Sequence, residues 1–407
     1  MRLQWFQPRG YRHFDVPVCR IFAEKTYDAE FIRVHSWSPL IRYLKRTKRY
    51  KPKLNRTEFK DRPIMYASHR DACILSRYAD ELNAVLETYY KASGLDKHVI
   101  AYRRLGKANY NFAADAWAGA VARAPCMALC FDISGFFDHL DHGQLKSRLK
   151  KILAVNELSD DWYSVYRAVT RHRWVEKDHL KRHPIFGLRL KGKGGLPIAT
   201  IAEVREAEIP ISENRNGYGI PQGTPISAVF ANLYMVDFDR EISDICSKMG
   251  ALYQRYSDDI LIVCAEGDKK AIVDAMQTAL TAQKLEFSAG KTEEKYFQLG
   301  ADDPFQYLGF YIAYKKIYLR SSSLGKQWKK LRRSIRRIEK VGQAEIAKGN
   351  AEKVYTKKLR RKFLPVGVRN FSSYARAAAS SLESRQIKQQ VRRLERAADQ
   401  AIKKLNK

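Results

Sequence analysis

The sequence lacks several features that define other classes of protein. Its 407 residues contain no apolar run of about 18 residues, so we expect no membrane-spanning helix and no membrane partner. Residues 1–5 lack the charged and then apolar pattern of a signal peptide. The six cysteines are scattered, and only Cys126 and Cys130 lie close together, with no second pair or histidine at zinc spacing. We therefore predict reduced, buried thiols and a cytoplasmic protein.

Acidic residues are scarce at both ends of the chain. The whole sequence has 75 Lys or Arg against 44 Asp or Glu, a net charge of +31. Residues 1–60 contain 15 basic and 5 acidic residues, and residues 321–407 contain 25 and 6. Aromatic residues such as Trp5, Tyr50 and Trp328 interleave with these charges and could stack on bases. This distribution favours nucleic acid as the partner over an acidic membrane or a merely solvated surface.

Hydrophobic periodicity predicts a mixture of helices and strands, which indicates an α+β fold. Helices are expected over residues 70–92, 145–153, 162–169, 227–242 and 269–284, and a strand over 126–131. A β-hairpin is expected from 305–312 and 316–319, and a loop or hairpin insertion over 191–218. Basic helices should follow residue 324, with a break near 364–367. We divide the chain into a basic, partly irregular N-terminal extension (1–60), a central domain (61–320) and a basic helical domain (321–407).

The most informative motif is Tyr256-Ser257-Asp258-Asp259, which lies between two apolar runs. Both runs read as strands, so the two carboxylates belong on a tight hairpin turn. Adjacent charges repel each other unless a cation neutralises them, and Mg²⁺ prefers such oxygen ligands. Taken alone, the motif also fits a polar turn in a solvated hairpin.

Two further segments carry candidate functional residues. Asp132 closes the apolar strand that ends in Phe131, where it could join the Asp258-Asp259 turn. Three carboxylates suit a two-metal phosphoryl-transfer site, although Asp132 alone could cap a helix. Residues 219–228 predict a sharp loop running into a helix, in which Gly223 lets a base or sugar approach and Gln222 lies near a nucleotide.

Together these segments resemble the polymerase motifs of reverse transcriptases, in the family's order, over roughly residues 60–320. The segments around Asp132, Gln222 and Asp258 resemble the first three palm motifs. Residues 287–292 are similar to the fourth motif, and 305–310 to the primer-grip hairpin. Residues 101–104, with Lys107, resemble the fingers segment that holds the triphosphate.

The resemblance implies a right-hand polymerase with fingers, a palm with an antiparallel sheet, and a helical thumb. It implies an RNA-directed DNA polymerase, a nucleotidyltransferase that binds RNA, dNTPs and its DNA product and uses two Mg²⁺ ions, or Mn²⁺. The implied catalytic and metal-binding residues are Asp132, Asp258 and Asp259, with Ile133 as a further metal ligand. The implied nucleotide contacts are Arg103, Arg104, Lys107, Phe137, Gln222 and Lys291. The implied primer or template contacts are Tyr256, Gly223, Tyr307, Leu308 and Gly309.

Within that resemblance, Phe137 stands five residues after Asp132, where the family places a bulky residue against the ribose 2′ position. An aromatic ring there would exclude a 2′-hydroxyl, so deoxynucleotides should be preferred. One of Phe136 and Phe137 is expected to belong to the core instead. Which of Arg103, Arg104 and Lys107 contacts the triphosphate stays open.

Residues 136–142 and 162–167 resemble bacterial standalone enzymes of the defence-associated, unknown-group lineage, including the type 2 kind with a companion non-coding RNA. This implies antiphage defence by copying a bound, structured RNA. The residues after 320 are enough for a helical thumb, and we expect no RNase H or typical endonuclease domain in addition to it. A retron-type enzyme is the neighbouring possibility, although no clear Asn-Ala-x-x-His segment occurs. The motifs also leave open an RNA-synthesising polymerase, an idle RNA-binding or maturase-like protein, and template-independent or protein-primed DNA synthesis.

Overall fold

The computed structural model describes residues 3–51, 55–192, 196–288, 290, 292–300, 303–367 and 369–406, without the side chains of residues 49–51. Its strands are β1 Leu40–Lys51, β2 Arg56–Tyr66, β3 Cys126–Asp132, β4 Arg173–Glu176, β5 Ile211–Glu213, β6 Leu252–Tyr256, β7 Asp259–Cys264, β8 Glu293–Phe297, β9 Phe305–Tyr307, β10 Phe310–Ile312 and β11 Ile317–Leu319. The helices before β6 are α1 Arg20–Lys25, α2 Ala29–Arg33, α3 His69–Ala92, α4 Asn109–Arg123, α5 Phe136–His139, α6 His142–Ile152, α7 Asp160–Thr170, α8 Lys177–Arg182, α9 Pro184–Lys191, α10 Ile201–Glu206, α11 Ser227–Tyr234 and α12 Val236–Lys248. The later helices are α13 Lys269–Ala282, α14 Ser321–Ala347, α15 Lys357–Phe363, α16 Phe371–Ser381 and α17 Arg385–Leu405.

A four-stranded antiparallel sheet in the order β6-β7-β3-β8 lies at the centre of the fold. Strand β3 is apolar along most of its length because both of its faces are covered. Met127, Leu129 and Phe131 pack into one core, while Cys126 and Ala128 pack into another on the opposite face. The mixed class and the predicted antiparallel sheet are therefore confirmed, as is the hairpin that carries Asp258.

A second sheet, in the order β2-β1-β4-β5, lies beside the first. Its main feature is the long antiparallel hairpin of β1 and β2, in which Ile41 pairs with Tyr66 and Lys51 with Arg56. Residues 40–51 and 56–60 are thus strand, so a large part of the extension that we expected to be partly irregular is regular. The domain division at residue 60 stays a prediction, and it cuts through β2.

Other elements differ from the predictions in detail. The segment expected as a loop or hairpin over 191–218 contains α10 and β5. The helix expected over 227–242 is interrupted at Met235, which joins α11 to α12. The predicted hairpin near residue 310 has three strands, β9, β10 and β11, rather than two.

The C-terminal segment is helical, as predicted, and has its own small core. Leu331, Leu359, Phe363 and Leu394 bring α14, α15 and α17 together. The expected break is present between α15 and α16, and a further break over residues 348–356 separates α14 from α15. Across the described ranges, no helix combines the length and apolarity needed to cross a bilayer.

Candidate active site

Asp132 and the Asp258-Asp259 turn meet at one end of the central sheet. Asp132 is the last residue of β3 and pairs directly with Asp259, the first residue of β7. Directly opposed residues of an antiparallel pair have Cα atoms about 4.5–5.5 Å apart and side chains on the same face. Asp258 lies in the two-residue turn between Tyr256 and Asp259. The fold thus brings together the three acidic residues singled out from the sequence.

Main-chain hydrogen bonds hold this turn against the strand that carries Asp132. Ser257 has a left-handed φ of +62°, which tightens the turn. The amide of Ile133 donates to the carbonyl oxygen of Asp258 at 3.1 Å. Ile133 is also one of the residues that line the cleft above the turn. Its role as a metal ligand stays a prediction.

Ser288 holds Asp132 in place from the segment before β8. Its hydroxyl donates to Asp132 Oδ1 at 2.6 Å, and its amide donates to the Asp132 carbonyl oxygen at 2.7 Å. The sequence placed Ser288 in the fourth motif but gave it no role, because a serine in a short loop carries no distinctive pattern.

The pKa of Asp258, in the acidic turn, is raised. Burial raises the pKa of Asp258 above its usual value, and the nearby charge of Asp132 raises it further. Arg62, on β2, acts in the opposite direction. Because both Asp132 and burial favour the protonated form of Asp258, a cation bound beside these carboxylates would restore the ionised form.

The carboxylate oxygens at this end of the sheet suit a magnesium ion, although the protein side chains alone do not enclose it. Among the described residues, no three His, Cys, Asp or Glu side chains form a group that could hold a metal ion. The three carboxylates that we expected to suit a two-metal site therefore do not form a metal-holding group by themselves. Mg²⁺ in polymerase sites is usually held by one or two carboxylates together with substrate phosphates and water. Asp132 and Asp258 offer such oxygen ligands, and both line the cleft.

A cleft of about 870 Å³ opens above the acidic turn. Several predicted contact residues line it, namely Phe137, Gln222, Tyr256, Tyr307, Leu308 and Gly309. Phe136 is 4% exposed and packs in the core, whereas the ring of Phe137 is only half-buried. Of the two aromatic candidates, Phe137 is therefore the one with ring surface available to a ligand.

Arg103 is not placed to contact a triphosphate, which corrects one of the predicted nucleotide contacts. Its side chain is 2% exposed and binds Glu87 through two hydrogen bonds of 2.6 Å. Its remaining terminal nitrogen donates to the carbonyl oxygens of Asp96 and Val99. The guanidinium is thus used in holding α3 against the segment that follows it.

Arg104 and Lys107 are exposed but lie outside the group of residues that line the cleft. Arg104 forms an ion pair with Asp80 at 2.5 Å, and Lys107 forms one with Asp115 at 2.9 Å. Surface pairs of this kind are weak, so these cations are not locked in place. Neither lines the cleft in this conformation, and Lys291 lies outside the described residues.

Among the described residues, the cations that line the cleft are Lys60 and Arg62 on β2 and Arg320, which directly precedes α14. Sequence analysis missed Lys60 because it treated residues 1–60 as an extension, and it missed Arg62 because it predicted no strand at the start of the central domain. Their spacing of two residues puts both side chains on one face of a strand, which was the signal available. The Met65 amide fastens β2 to the site by donating to the Gln222 carbonyl oxygen at 2.9 Å.

Gly223 lies where the main chain of β2 approaches the loop closely. Its φ is +122°, and a Cβ there would lie 2.5 Å from the carbonyl oxygen of Met65. The missing side chain therefore lets β2 approach the loop, and the contact of Gly223 with a base or sugar stays a prediction.

The β9–β10 turn forms another wall of the cleft. Leu308 and Gly309 both have positive φ, +46° and +92°, as a two-residue hairpin turn of type I′ requires. Beside them, Tyr307 is 3% exposed, and its hydroxyl finds no hydrogen-bond partner among the described residues. This turn places three predicted primer contacts together. Burial raises the pKa of Tyr307, and the nearby charge of Asp259 raises it further.

Comparison with known protein families agrees with this arrangement. Residues 113–312, just under half of the chain, match the family described as "Reverse transcriptase (RNA-dependent DNA polymerase)". The chain contains a reverse transcriptase domain. The matched range includes Asp132, Gln222, Asp258 and Tyr307, so the four corresponding motifs all lie within this domain.

Solved structures similar to this chain include fungal telomerases. Apo telomerase from Candida tropicalis has 11% identity and a TM-score of 0.47, covering 98% of this chain and 67% of that one. A form truncated from its C-terminal domain has 13% identity and a TM-score of 0.47, with coverages of 70% and 56%. The complex of the same telomerase with a TWJ fragment of telomeric RNA has 15% identity and a TM-score of 0.46, with coverages of 91% and 54%. The chain thus spans about half to two thirds of these telomerase chains, and no curated protein sequence matches it.

Proposed function

We propose that this chain is an RNA-directed DNA polymerase that joins deoxynucleotides by two-metal nucleotidyl transfer. The observation that carries the proposal is the meeting of Asp132 with Asp258 and Asp259 beneath a cleft whose lining also includes three basic residues. Carboxylates alone would repel the phosphates of a nucleotide. Metal ions together with Lys60, Arg62 and Arg320 supply the positive charge that polyphosphate binding needs.

Different residues of the chain would have different roles in this reaction. Asp132 and Asp258 would hold the two ions, with Asp259 closer to the primer terminus, and bound Mg²⁺ would activate the attacking 3′-oxygen and stabilise the leaving phosphates. Ser288 keeps the Asp132 carboxylate oriented through its 2.6 Å hydrogen bond. Arg62 would bind the triphosphate, where its guanidinium can donate two parallel hydrogen bonds.

Residues on the wall of the cleft would select the incoming nucleotide. Phe137 would lie against the ribose and exclude a 2′-hydroxyl, and Gln222 would orient the incoming nucleotide. Tyr256, Tyr307 and the Leu308-Gly309 turn would hold the primer end. The position of Tyr256, Leu308 and Gly309 in the lining of the cleft supports this assignment.

We further propose that the template is a structured RNA bound to the basic ends of the chain. Residues 321–407 carry 25 Lys or Arg against 6 Asp or Glu, which suits binding to phosphates. A companion non-coding RNA copied in antiphage defence, inside the bacterial cytoplasm, is the setting that the motif resemblance implies. Sequencing the RNA and DNA that co-purify with the protein from its host tests this directly: one enriched RNA with complementary DNA supports it, and RNA without complementary DNA contradicts it.

Primer extension tests the polymerase itself. The purified chain is given a DNA-primed RNA template or the matching DNA template, with labelled dNTPs or NTPs and Mg²⁺. We expect dNTP incorporation directed by the RNA template. Preferred NTP incorporation would favour an RNA-synthesising polymerase, product independent of template would favour terminal addition, and protease-sensitive label on the product would reveal protein priming. The absence of all incorporation alongside tight RNA binding would favour the idle RNA-binding protein.

A further inference from the structure

A buried ion pair lies directly behind the acidic turn. Arg255 of β6 binds Asp239 of α12 through Nε and Nη2, each at 2.6 Å from a carboxylate oxygen. Both side chains are 0% exposed. Tyr253 donates its hydroxyl to the same carboxylate at 2.6 Å. Buried ion pairs contribute little net stability, because desolvation offsets their attraction, so stability alone is a weak reason for this one.

The third guanidinium nitrogen reaches the turn itself. Nη1 of Arg255 donates to the Ser257 carbonyl oxygen at 3.1 Å. This carbonyl belongs to the peptide unit that joins Ser257 to Asp258, and that unit is planar. Fixing the carbonyl therefore fixes the direction in which the chain enters Asp258. Because Ser257 has a φ of +62°, the turn adopts a conformation that most residues disfavour without such support.

The same arginine connects the turn to the cleft wall. Its amide donates to the His98 carbonyl oxygen at 2.8 Å, and its carbonyl accepts from Ile100 at 3.0 Å. These bonds hold the segment that ends in Tyr102, whose hydroxyl lies 3.2 Å from the Ser257 hydroxyl. Tyr102 lines the cleft. Arg255 therefore contacts the acidic turn through its side chain and the segment leading to the cleft wall through its main chain.

We propose that Arg255 is a positioning residue, held by Asp239, that fixes the orientation of Asp258 for metal binding and nucleotidyl transfer. This inference rests on the proposed polymerase function. The planar fork of arginine is required because three nitrogens act at once: two on Asp239 and one on the turn. A lysine keeps the charge but has a single nitrogen, so it cannot bind both partners in this geometry.

The first test is Arg255→Lys, with Arg148→Lys as its matched control. Arg148 is also nearly buried, with a side chain 8% exposed, and it also binds an aspartate of α12, Asp237, at 3.0 Å. The hydrogen bonds of Arg148 to described residues go to Asp237 and Gln283 and not to the acidic turn. We expect Arg255→Lys to lower kcat about 100-fold, as for a misplacement of about 1 Å, with little change in RNA affinity or in KM for dNTP. Arg148→Lys should keep the wild-type kcat.

The second measurement does not depend on catalysis. Mn²⁺ binding to the nucleotide-free protein is followed by electron paramagnetic resonance. We expect weaker Mn²⁺ binding in Arg255→Lys and unchanged binding in Arg148→Lys, because only the first substitution frees the Asp258 turn. Equal kcat and equal Mn²⁺ affinity in wild type and Arg255→Lys would overturn the proposal.

A third variant separates positioning from folding. The apolar triple variant Tyr253→Phe/Arg255→Met/Asp239→Leu removes the buried charges and the hydroxyl together, so it leaves no unpaired charge and should fold. We expect it to melt near the wild-type temperature yet show the low kcat and weak Mn²⁺ binding of Arg255→Lys. A folded triple variant with wild-type kcat and Mn²⁺ affinity would refute the positioning role.

The two proposals fail in different ways. If the wild type incorporates no nucleotide on any template but binds Mn²⁺ more tightly than Arg255→Lys, the polymerase function is wrong and the positioning of the turn stands. If the wild type incorporates dNTPs and Arg255→Lys does so equally well, the function stands and the positioning role is wrong.

Discussion

Asp132 and Asp259 lie directly opposite each other across β3 and β7, where both strands reach the cleft. The two residues are separated by more than 120 positions in the sequence, so only the sheet register brings them together. An antiparallel pair of strands projects both side chains from one face. With Asp258 in the adjoining turn, the register places three carboxylates around one end of the sheet.

Neutralising Arg62 should affect nucleotide binding, whereas neutralising Arg103 should affect stability. Arg62→Gln removes a cation from the cleft wall, so we expect KM for dNTP to rise about tenfold with the fold intact, as for one charged hydrogen bond. Arg103→Gln leaves Glu87 without its buried partner, so we expect a loss of unfolding free energy of about 3 kcal/mol. Steady-state kinetics and chemical denaturation measure the two effects. An unchanged KM in Arg62→Gln would remove that residue from the nucleotide site.

Phe137→Ala should weaken discrimination against ribonucleotides. The half-buried ring of Phe137 lines the cleft, and its removal leaves space for a 2′-hydroxyl. We expect the ratio of kcat/KM for dNTP over NTP to fall by about tenfold or more. Phe136→Ala is the control, since it creates a core cavity and should cost about 3–5 kcal/mol of stability instead. An unchanged ratio in Phe137→Ala would show that another group selects the sugar.

Gly223→Ala should displace the β1–β2 hairpin from the site. A Cβ at this position would lie 2.5 Å from the Met65 carbonyl oxygen, and a φ of +122° is strained for alanine. We expect a lower melting temperature together with a raised KM for dNTP, because Arg62 moves with β2. Gly217→Ala, at a position where an added Cβ meets nothing within 4 Å, is the matched control. Wild-type melting and kinetics in Gly223→Ala would refute the close approach.

The metal-free protein should lose stability as pH rises through the titration of Asp258. Its pKa is raised in the folded state by burial and by Asp132, so the folded protein binds this proton more tightly than the unfolded chain does. Stability from this group is therefore complete below the unfolded pKa and falls as pH rises through the raised, folded pKa. At neutral pH, Asp258→Asn should melt above the wild type in EDTA, and added Mg²⁺ should narrow that difference. A lower melting temperature for Asp258→Asn in EDTA would contradict this.

The elements that were predicted correctly carry local patterns. The stripe of apolar residues in α3, the apolar strand β3 and the two strands flanking Ser257 and Asp258 each follow a periodicity that one window of sequence contains. The acidic residues were found for the same reason, since each lies where an apolar strand ends.

The predictions that failed concern contacts between residues that are far apart in the sequence, which a local sequence pattern does not reveal. Arg103 follows Tyr102 in a motif-like segment, but its ion pair with Glu87 depends on how α3 packs. Arg62 was overlooked because its place in the cleft depends on the Met65–Gln222 hydrogen bond between distant segments. Gly223 was correctly marked as a position of close approach, but the approach of the main chain of β2 was not predicted.

The most direct test of the account is nucleotide incorporation by Asp258→Asn, compared with wild type and with Asp274→Asn. Asp274 is an exposed aspartate of α13 paired with Lys270, outside the residues that line the cleft, so its loss controls for the change of charge. We expect Asp258→Asn to abolish dNTP incorporation on a primed RNA template while RNA affinity stays within about twofold of wild type, since phosphate binding depends on the basic residues. Asp274→Asn should incorporate normally. Incorporation at the wild-type rate by Asp258→Asn would show that the acidic turn is not the catalytic site.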